Sequence, residues 1–407
     1  MSSGDAKARA RAPGPANVRI GVLRLTDSAP IIVAHEFGFF ADEGLNVALS
    51  VEPSWANIAD KLAHGALEAA SILPPLAFAV SLGLRGAAEP LVIPYCLSLG
   101  GDTITLVKRL GDEVRQASAR EGGVAAALAA RLRRNSPEPS LAVVHEYSTH
   151  NLLLRYWLAA SGAVAGRDYA LSVVPPARTV EALQTGRIAG FCAGAPWGEV
   201  AVRAGVGVTV ATSNDVWRNA PEKALAVRER WSRDNPDALS GMLRALYRAA
   251  RFCDAPHNAS YLAALLSRRA WLAIDSHAIL ASLPGTLGSV NRSRFQSHAA
   301  TFPWRSHALW FLDQMMRWGL IEPGQRLSDI AERVYRPDLY ATALSAVGAP
   351  IPLADAKPEG GHAEPWSIPA EPGPIAMAPD LFCDRAVFDP ARLGSPPWVA
   401  NGASLTT

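Results

Sequence analysis

Short apolar runs with the spacing of β-strands alternate with stretches of helical spacing through the first half of this chain. Val18, Ile20 and Val22 alternate with other residues in a strand pattern, and a helical stretch follows from about 29 to 43. Further strand-like runs lie at 45–51, 90–96, 141–144, 169–174 and 188–192, with helical patterns between them. Strands that alternate with helices of about 10–15 residues predict parallel sheets of the α/β class.

The same joint between a helix and a strand occurs twice in this α/β region. At 62–69 and again at 183–190, a helix end is followed by a glycine suited to a left-handed C-cap, and a strand begins two residues later. Such joints are common in α/β folds, so coincidence would also explain the pair. Together with the strand–helix alternation, we interpret the repeat as two similar lobes.

Composition changes twice in the remainder of the chain. From Asn235-Pro236, a cap followed by proline at the first helical position, the pattern is helical. Eight prolines fall between Pro350 and Pro379, which indicates an extended tail. We therefore predict a first lobe at 18–110, a second lobe at 111–212, a mostly helical return to the first lobe at 213–348, and a proline-rich tail at 349–407. The aromatic residues expected to dock parts of this tail against the body are Phe382, Phe388 and Trp398.

Charge, cysteine spacing and the first residues exclude several classes of protein. The net charge of +2 provides no general attraction to nucleic acid or membranes. The four cysteines are far apart and form no C-x-x-C pair, which argues against a zinc site or a disulfide scaffold. The segment before Val18 contains no apolar signal-peptide core, and no run of about 18 apolar residues occurs. We therefore expect a cytoplasmic protein without a membrane span.

The motifs favour binding over catalysis. The sequence contains no G-x-S-x-G, P-loop or H-E-x-x-H, and no carboxylate pair stands out for acid–base chemistry. His145 and His150 have the wrong spacing for two metal ligands on one helix face, so neither a metal nor a cofactor is predicted. Hydrogen-bond donors instead recur at strand ends and helix starts, at 54–57, 100–103, 148–150, 194–197 and 221–223.

These positions suit a small anion. In open α/β sheets, ligands bind outside the carboxyl ends of the strands, beside helix N-termini whose free amides and positive dipole attract anions. A flat oxyanion such as nitrate needs donors around its edge and a fixed positive charge, with no acceptor nearby, because its desolvation is otherwise costly. The tryptophan indole N–H and the lysine ammonium are both donors only.

Four segments resemble the nitrate-binding protein family of ABC transporters. They read SWANIADKLAHGALEAASILPPLAFAVSLG, THNLLLRYWLAASG, GFCAGAPW and NDVWRNAPEKALAVRERWSRDNPDAL, and the similarity spans roughly Val18 to Cys253. The family includes periplasmic nitrate and bicarbonate binders, transporter-fused regulatory domains and NasS-type sensors without a signal peptide. The resemblance implies a two-lobed C-clamp of the type II periplasmic-binding-protein kind, with the ligand in the cleft and a helical C-terminal portion.

The resemblance also implies which residues line the cleft. Trp55 is expected to donate its indole N–H, and the backbone amide of Gly194 to approach the anion closely. Lys223, in the Pro-Glu-Lys motif, is the expected charge partner. The remaining implied cleft residues are Gly101 and Asp102, which follow the strand near Tyr95, and His150, which opens the helix before Arg-Tyr-Trp.

Two positions depart from the family pattern. Members often carry Asn or Gln where Asp102 stands, and an ionised carboxylate there would repel nitrate. Asp102 is therefore expected to be turned away, neutral, or paired with lysine. Glu is common where Ala195 stands, which leaves the role of that position open. The resemblance also implies that Lys223 favours nitrate or nitrite over bicarbonate, since the bicarbonate branch of the family lacks that lysine. Trp197 is expected to wedge the hinge or the cleft floor.

The leading hypothesis is a cytoplasmic nitrate/nitrite sensor of the NasS type. The resemblance implies that it holds an RNA-binding antiterminator with an ANTAR domain, of the NasT type, and releases it when the anion binds, which regulates nitrate assimilation. No direct nucleic-acid or membrane contact is expected. One alternative is the substrate-binding component of a nitrate ABC transporter. Another is an enzyme similar to thiamine-pyrimidine synthases, whose cysteine-rich motif is not found because Cys192 stands alone.

Overall fold

A computed structural model describes residues 16–134, 140–284 and 293–393 of the protein. The strands are β1 (Ala16–Val22), β2 (Leu45–Val51), β3 (Ala69–Ile72), β4 (Leu91–Cys96), β5 (Asp102–Val107), β6 (Ser140–Val143), β7 (Ala170–Val173), β8 (Gly190–Gly194), β9 (Gly207–Thr212), β10 (Ala224–Arg228), β11 (Ile351–Pro352), β12 (Trp366–Ile368), β13 (Ala370–Glu371) and β14 (Ile375–Met377).

The helices alternate with the strands up to β10 and dominate the chain between β10 and β11. They are α1 (Ala29–Glu36), α2 (Phe39–Asp42), α3 (Trp55–Ala63), α4 (Pro74–Ser81), α5 (Lys108–Glu121), α6 (Val124–Arg133), α7 (Thr149–Ala159), α8 (Thr179–Gln184), α9 (Trp197–Arg203), α10 (Ser213–Val216), α11 (Glu229–Asp234), α12 (Pro236–Asp254), α13 (Ala259–Ser267), α14 (Ser276–Leu280), α15 (Arg305–Arg317), α16 (Leu327–Val334) and α17 (Pro337–Leu344). None of these helices combines the length and apolarity needed to cross a bilayer.

Two five-stranded sheets form the centres of two lobes. The first sheet has the order β2-β1-β3-β10-β4, and the second has the order β7-β6-β8-β5-β9. One strand in each sheet, β10 in the first and β5 in the second, follows a crossing between the lobes and runs antiparallel to its neighbours. Strands β1 and β6 pair in parallel with their neighbours. This arrangement confirms the predicted two-lobed α/β fold. The helical return packs on the first lobe through α12, which contacts α1 and β2.

The first crossing lies earlier than the sequence indicated. The predicted first lobe extended to residue 110, but Asp102–Val107 forms β5 within the second sheet. Gly100 and Gly101 have φ angles of 67° and 98°, a conformation that other residues rarely adopt. The chain therefore turns sharply at these glycines and enters the second sheet directly, so the prediction for 102–110 is wrong.

The two crossing segments pair with each other and with two later segments. Gly100 N donates to Ala220 O at 2.8 Å, and Arg294 exchanges two backbone hydrogen bonds of 2.9 Å with Leu99. On the other side, Arg218 N donates to Leu381 O at 3.0 Å. We call these four segments, 98–100, 216–222, 294 and 381–383, the hinge ribbon.

The proline-rich tail docks on the body. We call its described part, 351–393, the strap; β11 pairs with β13 and β12 pairs with β14. Phe382 and Phe388 are buried, as expected, whereas Trp398 lies outside the described residues. The Phe382 ring centroid lies 4.7 Å from that of Trp217 and 5.5 Å from that of Tyr156. The strap therefore contacts both the hinge ribbon and helix α7 of the second lobe.

A buried ion network fixes the strap to helix α15. The Lys357 ammonium contacts the Glu359 carboxylate, which also accepts a hydrogen bond of 2.6 Å from Ser306 Oγ. Burial of Glu359 favours its neutral form, but the attraction of Lys357 and His307 outweighs this and lowers its pKa to about 2. The ionised carboxylate thus holds the strap on the helical return.

Candidate functional site

The six residues predicted to line the cleft lie together between the lobes. Trp55 begins α3 and Lys223 immediately precedes β10, both in the first lobe. Asp102 begins β5, His150 is the second residue of α7, and Gly194 ends β8, all in the second lobe. All of these, and Gly101 at the crossing, are buried. The structure brings the predicted set together, and its role in ligand binding stays a prediction.

Serine caps position the two helix starts that face this site. Ser54 Oγ accepts a hydrogen bond of 3.3 Å from Asn57 N, and Ser148 Oγ accepts one of 3.0 Å from Asn151 N. Such caps fix where a helix begins and leave the positive end of its dipole beside the site. Because α3 begins with Trp55 and α7 carries His150 in its first turn, both side chains are placed by short, local sequence signals.

Lys223 is the positive centre of the site. Its Nζ lies 3.0 Å from Asp27 Oδ2, contacts the Glu222 carboxylate, and lies 5.5 Å from the centroid of the Trp55 ring. Burial opposes the charged ammonium, but the attraction of Asp27, Glu222 and Asp102 outweighs it and raises the pKa of Lys223. The ammonium therefore stays charged although it is fully buried.

His150 lies between two carboxyl groups. Its Nε2 is 3.0 Å from Asp102 Oδ1 and 3.2 Å from Glu222 Oε1. Burial lowers the pKa of His150 to about 4, so the imidazole is neutral near pH 7. One nitrogen or oxygen atom from each of these three side chains lies within 4.8 Å of the other two. No other cluster of three His, Cys, Asp or Glu side chains this close occurs in the described part of the chain.

The structure brings three carboxyl groups together at this site, although no carboxylate pair stood out in the sequence and nitrate needs a site without acceptors nearby. Asp27, Asp102 and Glu222 converge around Lys223 and His150, although Asp27 lies 75 residues before Asp102 and Asp102 lies 120 residues before Glu222. Burial raises the pKa of Asp102 to about 6 and that of Glu222 to about 7, and it also raises the pKa of Asp27. Asp27 follows β1, a position where ligand-binding residues are common, and that signal was missed.

The lobes touch each other across the site. Thr26 N, in the first lobe, donates to the carbonyl oxygen of Ala195 in the second at 2.9 Å. Trp197 Nε1 donates to Arg24 O at 3.2 Å. Ala195, whose role the sequence left open, thus joins the lobes through its backbone, and Trp197 links them at the cleft. The site residues are thus buried between lobes that these contacts join.

Glu222→Gln is expected to change how stability depends on pH. The pKa of Glu222 lies at about 7 in the folded protein, above its ordinary value of 4.5. Between these values the folded protein binds the proton more readily than the unfolded chain, so stability falls as pH rises through this window. Glutamine has no proton to lose, so Tm of the variant relative to wild type should rise between pH 4.5 and pH 8.

Thermal unfolding at both pH values measures this difference, and comparison with wild type cancels the contribution of the other titrating groups. The exposed Glu364 provides a control position for the same substitution, since it lies outside the buried site. A Glu222→Gln shift that is the same at pH 4.5 and pH 8 would contradict the assigned pKa.

Comparison with known proteins agrees with this architecture. The NMT1-like family matches residues 11–267. The nitrate/nitrite binding protein NrtA of Synechocystis sp. is 30% identical over 367 residues, which cover 86% of this chain and 81% of NrtA. The crystal structure of the periplasmic nitrate-binding protein NrtA from Synechocystis superposes with a TM-score of 0.80 at 27% identity, covering 94% of this chain and 97% of that one.

A second kind of relative is longer than this chain. The bicarbonate transport ATP-binding protein CmpC of Synechococcus elongatus is 35% identical over 338 residues, which cover 82% of this chain and 50% of CmpC. The chain thus spans about half the length of the ATP-binding relatives it matches. These similarities confirm the predicted family: the chain belongs to the NMT1-like family and, within it, to the nitrate and bicarbonate solute-binding proteins of ABC transporters.

Proposed function

We propose that this chain binds nitrate or nitrite between its lobes and acts as a cytoplasmic sensor of the anion. The observation that carries the proposal is the fully buried, charged ammonium of Lys223, which lies beside Trp55 where the lobes meet. An anion taken out of water needs a positive partner, and Lys223 places one where the lobes meet. Similarity to NrtA, named as a nitrate/nitrite binding protein, supports the same ligand class.

The donors available to the anion support this ligand. Trp55 Nε1 is buried and has no hydrogen-bond partner within the described ranges. A buried donor left unpaired costs about 1–3 kcal/mol. An anion oxygen that accepts from this indole N–H and from Lys223 Nζ would recover that energy. Because the family resemblance implies that the bicarbonate-binding branch lacks this lysine, we expect nitrate and nitrite to bind better than bicarbonate.

The proposed output is a shift between open and closed lobes. The anion binds the closed form better, and a partner that fits the open form is released as the closed population grows. The proposed partner is an RNA-binding antiterminator with an ANTAR domain, through which the sensor would regulate nitrate assimilation. Linkage then requires the partner to weaken anion binding by the same factor by which the anion weakens partner binding. No catalytic step is proposed.

The second candidate is the substrate-binding component of a nitrate ABC transporter. It is favoured by the similarity to the periplasmic NrtA and to an ATP-binding transport protein. Both candidates use the same site between the lobes. They differ in the partner, which is a permease for the transporter component and an antiterminator for the sensor.

Size-exclusion chromatography and calorimetry separate these candidates. The chain and the antiterminator are expected to co-elute without nitrate and to separate at saturating nitrate. Isothermal titration should show binding of nitrate and nitrite, and weaker binding of bicarbonate. Co-elution that nitrate leaves unchanged, or no complex at all, would defeat the sensor role, while nitrate binding alone would keep the transporter candidate.

A further inference from the structure

The charges at the site do not suit an anion unless something positive accompanies it. Three buried carboxyl groups, from Asp27, Asp102 and Glu222, surround a single ammonium, that of Lys223. If all three were ionised, the site would already carry two net negative charges, since His150 is neutral. A nitrate ion would add a third in a space from which water is excluded, and uncompensated buried charge costs several kcal/mol per ion.

The geometry identifies the carboxyl group that would take up the compensating proton. Glu222 Oε1 contacts both Lys223 Nζ and His150 Nε2, while Glu222 Oε2 is buried and without a hydrogen-bond partner among the residues described. Asp102 lies close to both His150 and Glu222. A proton on Oε2 would turn this unpaired acceptor of Glu222 into a hydrogen-bond donor.

We propose that the site takes up one proton on Glu222 together with each anion, so that its ligand is a monovalent oxyanion plus a proton. This inference rests on the proposed anion binding and specifies its chemistry. The proton comes from solvent and leaves with the anion, and no covalent bond to the anion forms. The protonated carboxyl donates a hydrogen bond to the anion, and Lys223 remains the charge partner.

Several titratable groups face Glu222 from the surrounding elements and set its proton affinity. Burial is the largest influence and raises the pKa of Glu222 to about 7, to which the neighbouring Asp102 adds, while Lys223 and His150 act in the opposite direction. An anion bound beside Glu222 would raise this pKa further. The groups that face it are Asp27 after β1, Asp102 on β5, His150 on α7, Cys192 on β8, and Lys223 before β10.

Calorimetry in buffers of different ionisation enthalpy counts the protons taken up. When nitrate is titrated into the whole chain at pH 8, the protein should take up about one proton for each anion that binds. The affinity for nitrate should fall about tenfold per pH unit above the pKa of Glu222. For Glu222→Gln, which stays neutral, we expect proton uptake to vanish and the affinity to become independent of pH between 6 and 8. The exposed control Glu364→Gln should keep the uptake of the wild type.

Each other outcome overturns the inference. Nitrate binding by wild type without proton uptake would defeat it even if Glu222→Gln failed to fold. Proton uptake that persists in Glu222→Gln would place the proton elsewhere. Binding that EDTA abolishes and calcium or zinc restores would show a cation in the place of the proton. Absence of nitrate binding at every pH would defeat the proposed function itself. Nitrate binding without proton uptake would defeat only the inference about the proton, so the two failures can be told apart.

Discussion

Lys223→Ala is expected to abolish nitrate binding and to lower the free energy of unfolding by about 3–5 kcal/mol, the usual cost of breaking a buried ion pair from one side. The variant leaves Asp27 and Glu222 buried without their shared cation. It also removes the positive charge that faces the anion. We expect affinity to fall about 100-fold or more, since truncating one partner of a buried charge pair costs about 2–5 kcal/mol and 1.4 kcal/mol is about tenfold.

Titration calorimetry and urea unfolding measure the two losses separately. Lys357→Ala is a matched control, because Lys357 is also buried and pairs with Glu359, but it lies in the strap. That variant should lose stability and keep nitrate affinity. The double variant Lys223→Met/Glu222→Gln should recover stability, because it buries fewer unpaired charges, without recovering binding. Wild-type affinity in Lys223→Ala would contradict the assigned site.

Phe382→Ala is expected to release the strap from the body. Phe382 is 1% exposed and packs against Trp217, Tyr156 and Trp310, with ring centroids 4.7 to 5.9 Å away. Truncation of a buried phenylalanine typically costs about 3–5 kcal/mol. The same change weakens the strand pairing at 381–383, which is the outer part of the hinge ribbon.

Limited proteolysis measures release of the strap, because cleavage within 351–393 should become much faster in Phe382→Ala. Thermal unfolding and near-ultraviolet circular dichroism of the buried tryptophans report the loss of packing. Val387→Ala is the matched control, since Val387 lies in the same segment but is 52% exposed. Equal cleavage rates in the two variants would show that Phe382 does not hold the strap.

The spacing of apolar residues predicted much of the fold because the formation of one strand or helix depends mainly on residues close together in the sequence. The apolar alternation of β1 and the stripe that α12 buries through Leu239, Met242 and Leu246 were visible in the sequence. The helix predicted from about 29 to 43 is interrupted at Gly38, where φ is 72°, and continues as α2. A single glycine inside an apolar helical pattern gives too weak a signal to place such a break.

The site was predicted in part for a similar reason. Trp55, His150 and Lys223 lie in short motifs beside helix starts and strand ends, so a resemblance carried by those motifs found them. The grouping of Asp27 with Glu222 depends instead on two crossings between lobes, which bring residues 27 and 222 into contact with one ammonium. No periodicity in one segment encodes that contact, because it arises only from the topology of the whole chain.

The hinge ribbon also affects the order in which the molecule can be completed during synthesis. Its segments come from residues near 99, 219, 294 and 382, so they leave the ribosome far apart in time. Domains generally fold as the chain emerges, the N-terminal part first. The first lobe must nevertheless wait for β10, and the joint between the lobes lacks its last strand until residue 383 has been added. A nascent chain thus holds two nearly finished lobes on an unfinished joint until the strap has been synthesised.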